Sequence, residues 1–405
     1  VNVSATGANN GTSWANAYTD LQDAINNALA GDMVFVAGGT YKPTRPANDL
    51  TNTSNPLNRD NAFVLKADVK IYGGFAGTEA TLAERNLNLI ANQSILSGDI
   101  DGNNVRDNGN AYHVVISAGA VGTAVLDGFV ITMGNANDDG YIGVNGGSIW
   151  RSTGGGMVNI YSSPMLSNCI FSGNTTSVWG GGMYNEYSSL VVNSCVFSGN
   201  SSGDLGGGIT TLNTGYYGHS GIYTNCVFNN NTAEAGGAAY LGDGIGDGSV
   251  YINCTFYGNT ASGGNVLYYE RNGQGTGPQF VNSILHNASG NSMFGGTFVN
   301  YIISKNCLTN EASLGINPNN VANILSADPL FTNAAGGDFT LQRGSPAINA
   351  GNNAFIGGFD FDIAGNLRIQ NETVDMGAYE NYVKPRYVNV SATGANNGTS
   401  WANAY

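Results

Sequence analysis

The sequence predicts an all-β fold: a single-stranded right-handed parallel β-helix, closed at its N-terminal end by one amphipathic helix. Three observations carry this. A seven-residue phrase, Asn168-Cys169-Ile170-Phe171-Ser172-Gly173-Asn174, returns in related form from Ser194, Asn225 and Asn253, at offsets of 26, 31 and 28 residues. That spacing is a solenoid period. Each copy leads into a glycine cluster, Gly180 to Gly182, Gly206 to Gly208, Gly236-Gly237 and Gly263-Gly264. Charged residues make up only 10% of the chain and glycines number 60 of 405, against 41% hydrophobic residues. This composition suits a polar, turn-rich surface over a modest core rather than a disordered polyelectrolyte.

Within one copy, Cys and Phe stand two apart and share a strand face, while the residue between them points the other way. Cys169, Cys195, Cys226 and Cys254 with Phe171, Phe197, Phe228 and Phe256 are therefore predicted as inward ladders, one rung about 4.8 Å above the next. Asn174, Asn200, Asn231 and Asn259 fall where the strand must bend, and the glycines supply the next corner. A copy cannot bury its own inward face, but a stack can. The right hand is the one favoured for parallel crossovers. Parallel Cβ vectors suit disulfides poorly, so the cysteines read as a ladder of free thiols, with Cys307 in a later rung.

In chain order, residues 1–31 form an N-terminal segment and capping helix. Thr19-Asp20-Leu21-Gln22 reads as a capping box, and Leu21, Ala24, Ile25, Ala28 and Leu29 fall on one face before Gly31. Such a face suits the open end of a solenoid, which would otherwise expose core and unpaired backbone. Residues 32–380 are assigned to the β-helix. Within them, 42–61 form an extruded loop and the later rungs include 280–285, 297–303 and 324–331. Residues 338–341 and 345–351 close the body. Residues 381–387, with Pro385, are a short linker. Residues 388–405 repeat residues 1–18 without a change, a unit of 387 residues (388 − 1). The chain therefore reads as one tandem unit plus the start of an identical next one, taken from something longer.

The pairs Phe171/Asn174 with Gly180 to Met183, and Phe197/Asn200 with Gly206 to Ile209, resemble the repeat of the polymorphic outer-membrane protein adhesins. Ser13-Trp14 with 31–37, Tyr72 to Phe75 with 97–102, and Ser345 to Gly351 resemble large secreted β-helix surface proteins of Bacteroidetes-type bacteria. The resemblance covers most of residues 1–380. It implies a fold of the pectate-lyase-like superfamily, export to the bacterial cell surface, and adhesion.

The net charge is −14 and basic runs are absent, which excludes nucleic acid and anionic membrane as natural partners. No apolar run reaches membrane-spanning length. Oxygen-bearing residues alternate around a glycine at Asp99, Asp101, Asn103 and Asp107, as a calcium loop requires; a plain Asx-rich turn is the other reading. Asp360, Asp362 and Asn366 read as a turn. Asp138-Asp139 with Gly218-His219-Ser220 faintly resemble a polygalacturonase pair but lie too many rungs apart. Arg151, Arg271, His113, His219 and His286 share no spacing that assembles a lyase. Tyr216-Tyr217 and Tyr268-Tyr269 could stack on sugars, although strand alternation alone explains each pair. These observations lead us to expect a non-enzymatic repeat unit of an exported fibre, stalk or adhesin. Its partners would be neighbouring copies joined head to tail, with surface glycans or other cells as targets. A polysaccharide lyase or glycoside hydrolase is the alternative, and a glycan-binding module a second one. No catalytic residue is assigned, and calcium is the sole candidate cofactor.

Overall fold

The computed structural model describes residues 1–405 apart from 213–219, 243–247, 271–275, 287–290, 371, 382–387, 396, 398–399 and 405. The chain coils as a parallel β-helix with three faces. The first Cys-bearing coil shows how. Met165–Ser167 runs along the first face, Asn168 turns the chain in the left-handed region at φ 52°, and Ile170–Ser172 continues that face. Left-handed Gly173 leads to the short second-face strand Thr175–Thr176, and the Gly180 cluster leads to Met183–Glu186 on the third. The chain then returns to Val191–Asn193, which pairs in parallel with Met165–Ser167 residue for residue. The first face runs from Met33–Ala37 to Val321–Ser326, the third from Phe63–Val64 to Phe294–Gly295.

The predicted ladders fill the core. Phe171, Phe197, Phe228 and Phe256 stack with centroids 4.9, 4.9 and 4.8 Å apart and planes within 7°. All five cysteines are buried and free. Each thiol finds a carbonyl two residues back, as Cys169 Sγ does at Ser167 O, 3.2 Å. Burial pushes the Cys195 and Cys254 thiols well above their ordinary value and Cys307 to about 11, so these thiols are inert packing groups.

The asparagines do more than turn a corner. Left-handed backbone falls on the residue before each cysteine of the phrase, at Asn168, Ser194, Asn225 and Asn253, and on the residue before each ladder asparagine. Asn174, Asn200, Asn231 and Asn259 themselves point inward and are buried. Asn200 Nδ2 donates to Phe171 O (2.9 Å) and Asn231 Oδ1 (3.0 Å), while its Oδ1 accepts from the Asn174 amide and Nδ2, both at 3.1 Å. A polar column thus runs beside the phenylalanines with its hydrogen bonds met.

The helix α1 spans Leu21–Asn27 and caps the N-terminal end as expected, with three differences. Asp20, not Thr19, is its N-cap, accepting from the Asp23 amide at 3.0 Å. Gln22 takes no part in a capping box: its Oε1 accepts from Val64 N (2.9 Å) and its Nε2 donates to Val64 O (3.2 Å), satisfying the edge of the first third-face strand. Leu29 lies past the helix end and is exposed.

Residues 338–351 add no rungs. After Ser326 the chain forms an antiparallel hairpin, Phe331–Asn333 with Asp338–Leu341, and folds back along the outside of the first face. Phe339, Leu341, Ala347, Met376 and Ala378 cover Val227, Ile284 and Leu308, and Ala378 N donates to Thr255 Oγ1 (3.0 Å). The strap is pinned internally by Arg368, fully buried, which donates to Asp375 O and Gly377 O and pairs with Glu380 at 3.2 Å.

Candidate functional site

Outward positions of the third face form two rows. The first reads Val64, Ile116, Val158, Tyr184, Thr210, Tyr240, Tyr268, and the second, two residues on, includes Ala118, Ile160, Glu186 and Leu212. An antiparallel hairpin, Tyr141–Val144 with Gly147–Trp150, seals the N-terminal part, burying Ile142, Val144 and Ile149 with Ile116, Val158 and Ile160. Beyond the hairpin the outward rows stay buried at Tyr184, Thr210, Leu212 and Tyr240 but become more polar. Tyr184 Oη donates to Glu186 Oε2 at 3.2 Å, and Trp179 stacks with Tyr184 at 6.1 Å while donating from Nε1 to Asp204 Oδ2 at 3.2 Å. On the other side, Tyr161 and Tyr187 stack at 4.7 Å and 5°, both with positive φ, and Tyr161 is 57% exposed. Tyr240 stacks on Tyr268 at 5.7 Å further along.

Glu186 is the perturbed carboxyl among the described residues of this strip, alongside Tyr187 and Tyr268, whose hydroxyl pKa values burial also raises. Burial pushes its carboxyl above the ordinary range, and the Tyr184 hydrogen bond only partly offsets that. Between Arg151 and Lys305 the sequence has a single Lys or Arg, Arg271, which lies outside the described residues, so acidic groups and aromatics dominate here. A raised carboxyl among aromatics and hydroxyls is suited to hydrogen-bonding polyols and to giving up a proton.

The residues singled out in the sequence are distributed as follows. Asp101, Asn103 and Asp107 share one loop, with Asn103 Nδ2 bridging Asp101 Oδ2 (2.9 Å) and Asp107 Oδ2 (3.1 Å). Asp99 is buried beside it, its Oδ2 accepting from Lys42 Nζ at 3.3 Å. Among the described residues no group of three or more His, Cys, Asp or Glu is placed to hold a metal ion. Arg151 clamps Asp60 through two 2.7 Å bonds and lies 3.7 Å from Asp138, tying the 42–61 loop to the hairpin. His113 is interior, its Nδ1 3.1 Å from Gly154 O, with burial lowering its pKa to about 4. His286 packs on Tyr257. Tyr269 points inward and Tyr268 outward, as alternation requires. Tyr216-Tyr217, Gly218, His219, Arg271 and the 382–387 linker lie outside the described residues.

Sequence reasoning passed over Tyr161, Tyr187, Trp179 and Glu186. A signal was present: Tyr161 and Tyr187 stand at the same offset as Phe171 and Phe197, one coil apart. It is hidden when the phrase is read from its inward residues, because a site on a solenoid lies on outward ones.

Comparison with known proteins places the backbone. A crystal structure of pectate lyase Pel9A is similar at a TM-score of 0.54 and 11% identity, over 94% of this chain and 96% of that one. Pectin methylesterase PemA from Erwinia chrysanthemi is similar at 0.38 and 9% identity, covering 82% of this chain and 93% of its own. A tailspike protein gp49 from Acinetobacter baumannii bacteriophage Fri1, a capsular polysaccharide depolymerase, is similar at 0.32 and 11% identity, covering 75% and 52%. Residues 250–358 match a family model described as a domain of unknown function, DUF5123, and the match spans well under half the chain. No curated protein matches. Among the described residues no helix is long and apolar enough to cross a membrane. The pectate lyase likeness establishes the parallel β-helix fold and corrects one expectation. Reading the fold as a rod predicts a non-enzymatic chain, yet the same framework across almost its whole length carries a lyase. Fold alone therefore does not exclude catalysis.

Proposed function

We propose that this chain is an extracellular, polysaccharide-engaging β-helix unit, binding a glycan at the edge of the third face where Tyr161, Tyr187 and Trp179 are open around Glu186, its candidate acid–base group. The observation that carries the reading is the raised Glu186 carboxyl flanked by the Trp179–Tyr184 and Tyr161–Tyr187 stacks. Tyr184 is buried beneath this edge, and the faces open to a sugar are those of Tyr161, Tyr187 and Trp179, which give area at low entropy cost while the Glu186 carboxyl can meet sugar hydroxyls. The near absence of basic residues from this region favours a neutral glycan over a uronic-acid polymer, whose carboxylates would need a cation between them and the strip. The polysaccharide chemistry of the similar lyase is an analogy of fold that agrees with this reading.

The test is affinity electrophoresis and a turnover screen on neutral and acidic polysaccharides. Tyr161→Ala with Trp179→Ala should weaken retention by about tenfold, from about 0.5–1.5 kcal/mol per aromatic. Glu186→Gln should abolish any turnover while leaving retention. Equal retention of parent and double variant on every polymer would overturn the proposal.

A second reading, compatible with the first, rests on the recurrence of residues 1–18 at 388–405. Units arranged head to tail would display the same strip repeatedly and gain avidity. A cell-surface fibre or stalk is the architecture that such an arrangement supports.

A further inference from the structure

The recurring phrase opens on asparagine at Asn168, Asn225 and Asn253 but on serine at Ser194. All four residues stand in the left-handed region, Ser194 at φ 51°. Asparagine adopts that conformation readily and serine does not, so Ser194 is held there against its own preference.

The asparagines use their length. Asn168 Nδ2 reaches back one coil to the Asp127 carboxylate at 3.1 Å, and Asn225 Nδ2 reaches Asn193 Oδ1 at 3.3 Å and Phe361 O at 3.0 Å. The same reach from position 194 would end at Ser167, which the parallel register aligns with Asp127 and Asn193. Serine is too short for it. Ser194 is only 8% exposed, and its hydroxyl makes no hydrogen bond among the described residues.

The gap left in this column joins two cavities of about 220 and 350 Å³ on the outside of the first face, and Asn168 and Ser194 border both. The floor is the half-buried outward row Val130, Ile170 and Val196. One wall is Leu87 and the other Ile363 of the strap. Asn168 Oδ1 and Asn193 Nδ2 also make no hydrogen bond among the described residues. None of the described residues lining the groove is Lys, Arg or His, while Asp360 and Asp362 stand on the strap side.

We propose that this groove is a second carbohydrate-binding site, taking a short neutral oligosaccharide across Ser194. Sugar ring faces rest on Ile170 and Val196, and sugar hydroxyls meet Ser194, Asn168 and Asn193. Amide and hydroxyl groups over an aliphatic floor complement a pyranose, whose edge is polar and whose face is not. The carboxylates and the lack of cations select against an anionic glycan. An extended peptide gains affinity from main-chain hydrogen bonds at a sheet edge. Here the floor strands Ile170–Ser172 and Val196–Ser198 are paired on both sides, so no strand can be added. The groove shares no lining residue with the Glu186 edge, and the inference does not rest on binding there.

The test is Ser194→Asn in the full chain, with Tyr161→Ala and Trp179→Ala present in both parent and variant to silence the third-face edge. Isothermal titration calorimetry uses cellohexaose, xylohexaose, mannohexaose and maltohexaose as probes. At least one should bind the parent, and Ser194→Asn should weaken it by at least about tenfold, as expected when a buried polar contact is lost and the gap filled. The same variant should keep or raise the melting temperature, because asparagine suits the left-handed backbone; a purely structural role for Ser194 would move stability and not affinity. Leu87→Ser, at an exposed wall position, should weaken the same probe and covers the case in which Ser194→Asn fails to fold. The proposal is overturned if no probe binds the parent, or if folded Ser194→Asn or, failing that, Leu87→Ser binds as tightly as the parent. It is equally overturned if a pool of uncharged peptides binds in place of the saccharides and is lost with Ser194→Asn.

Discussion

Replacing Asn200 with alanine is the sharpest test of how the solenoid is held together. The amide side chain makes four hydrogen bonds in the core: two accepted from Asn174, one donated to Phe171 O and one to Asn231 Oδ1. After truncation, Asn174 Nδ2 still reaches Ile131 O, and Asn231 Oδ1 still accepts from the Asn200 amide. The Asn174 amide and the Phe171 carbonyl lose their side-chain partner in a fully buried column. The Phe171 carbonyl keeps its place in the parallel ladder to Phe197 and Ser198, so at about 1–3 kcal/mol for a buried group left unmet the Asn174 amide sets the loss at about 1–3 kcal/mol, a large fraction of typical domain stability. Urea unfolding followed by far-ultraviolet circular dichroism measures it, with partly exposed Ser198→Ala as the control expected within about 0.5 kcal/mol. Asn200→Asp should be worse than alanine at neutral pH, because its oxygens would face the Phe171 carbonyl and Asn231 Oδ1 with no proton to share. A loss below about 0.5 kcal/mol for Asn200→Ala would refute the view that this column is a structural element, leaving the phenylalanine stack to account for the rung order.

Two further outcomes follow from charge. Burial raises Glu380 from 4.5 to about 8 and lowers His113 from 6.5 to about 4. The Glu380 contribution is full below pH 4.5 and is lost as pH rises to 8, whereas the His113 contribution is full above pH 6.5 and is lost as pH falls to 4. Between pH 6.5 and 8 Glu380 is the group of the two that titrates, so the melting temperature of the parent should fall relative to that of Glu380→Gln over that window, and parallel profiles for the two would contradict the assignment. The Asp99 loop is held by its own hydrogen bonds and the Lys42 ion pair, so calcium and chelator should leave the melting temperature of the parent unchanged; a calcium-dependent rise lost in Asp99→Ala with Asp101→Ala would refute this.

The inward half of this molecule was legible because it is periodic. Cys-x-Phe at a solenoid offset implies a shared face, stacking distance follows from strand spacing, and the structure spaces the phenylalanine rings almost equally, at 4.9, 4.9 and 4.8 Å. The amphipathic stretch from Leu21 was equally plain as a cap. Gln22 was not, since its role depends on the distant backbone of Val64, and no local pattern encodes which remote strand edge a side chain will satisfy. The strap was missed for a related reason. Its segments carry alternating apolar residues like any rung, and only the buried outward residues Val227, Ile284 and Leu308 show that a layer had to cover them.

By itself, then, the sequence determined the repeat, the parallel stacking, the buried thiol and phenylalanine ladders, the N-terminal cap and the recurrence of its opening segment. Those properties come from local geometry multiplied along one axis, so a period is enough to read them. The tertiary structure alone decided that the ladder asparagines turn inward, that the segment from Phe331 to Glu380 wraps the side instead of extending the stack, and that Glu186 lies among Trp179, Tyr184 and the Tyr161–Tyr187 pair. Each depends on which outward surface stays open once loops, hairpin and strap have settled, and that is set by contacts between segments far apart in sequence.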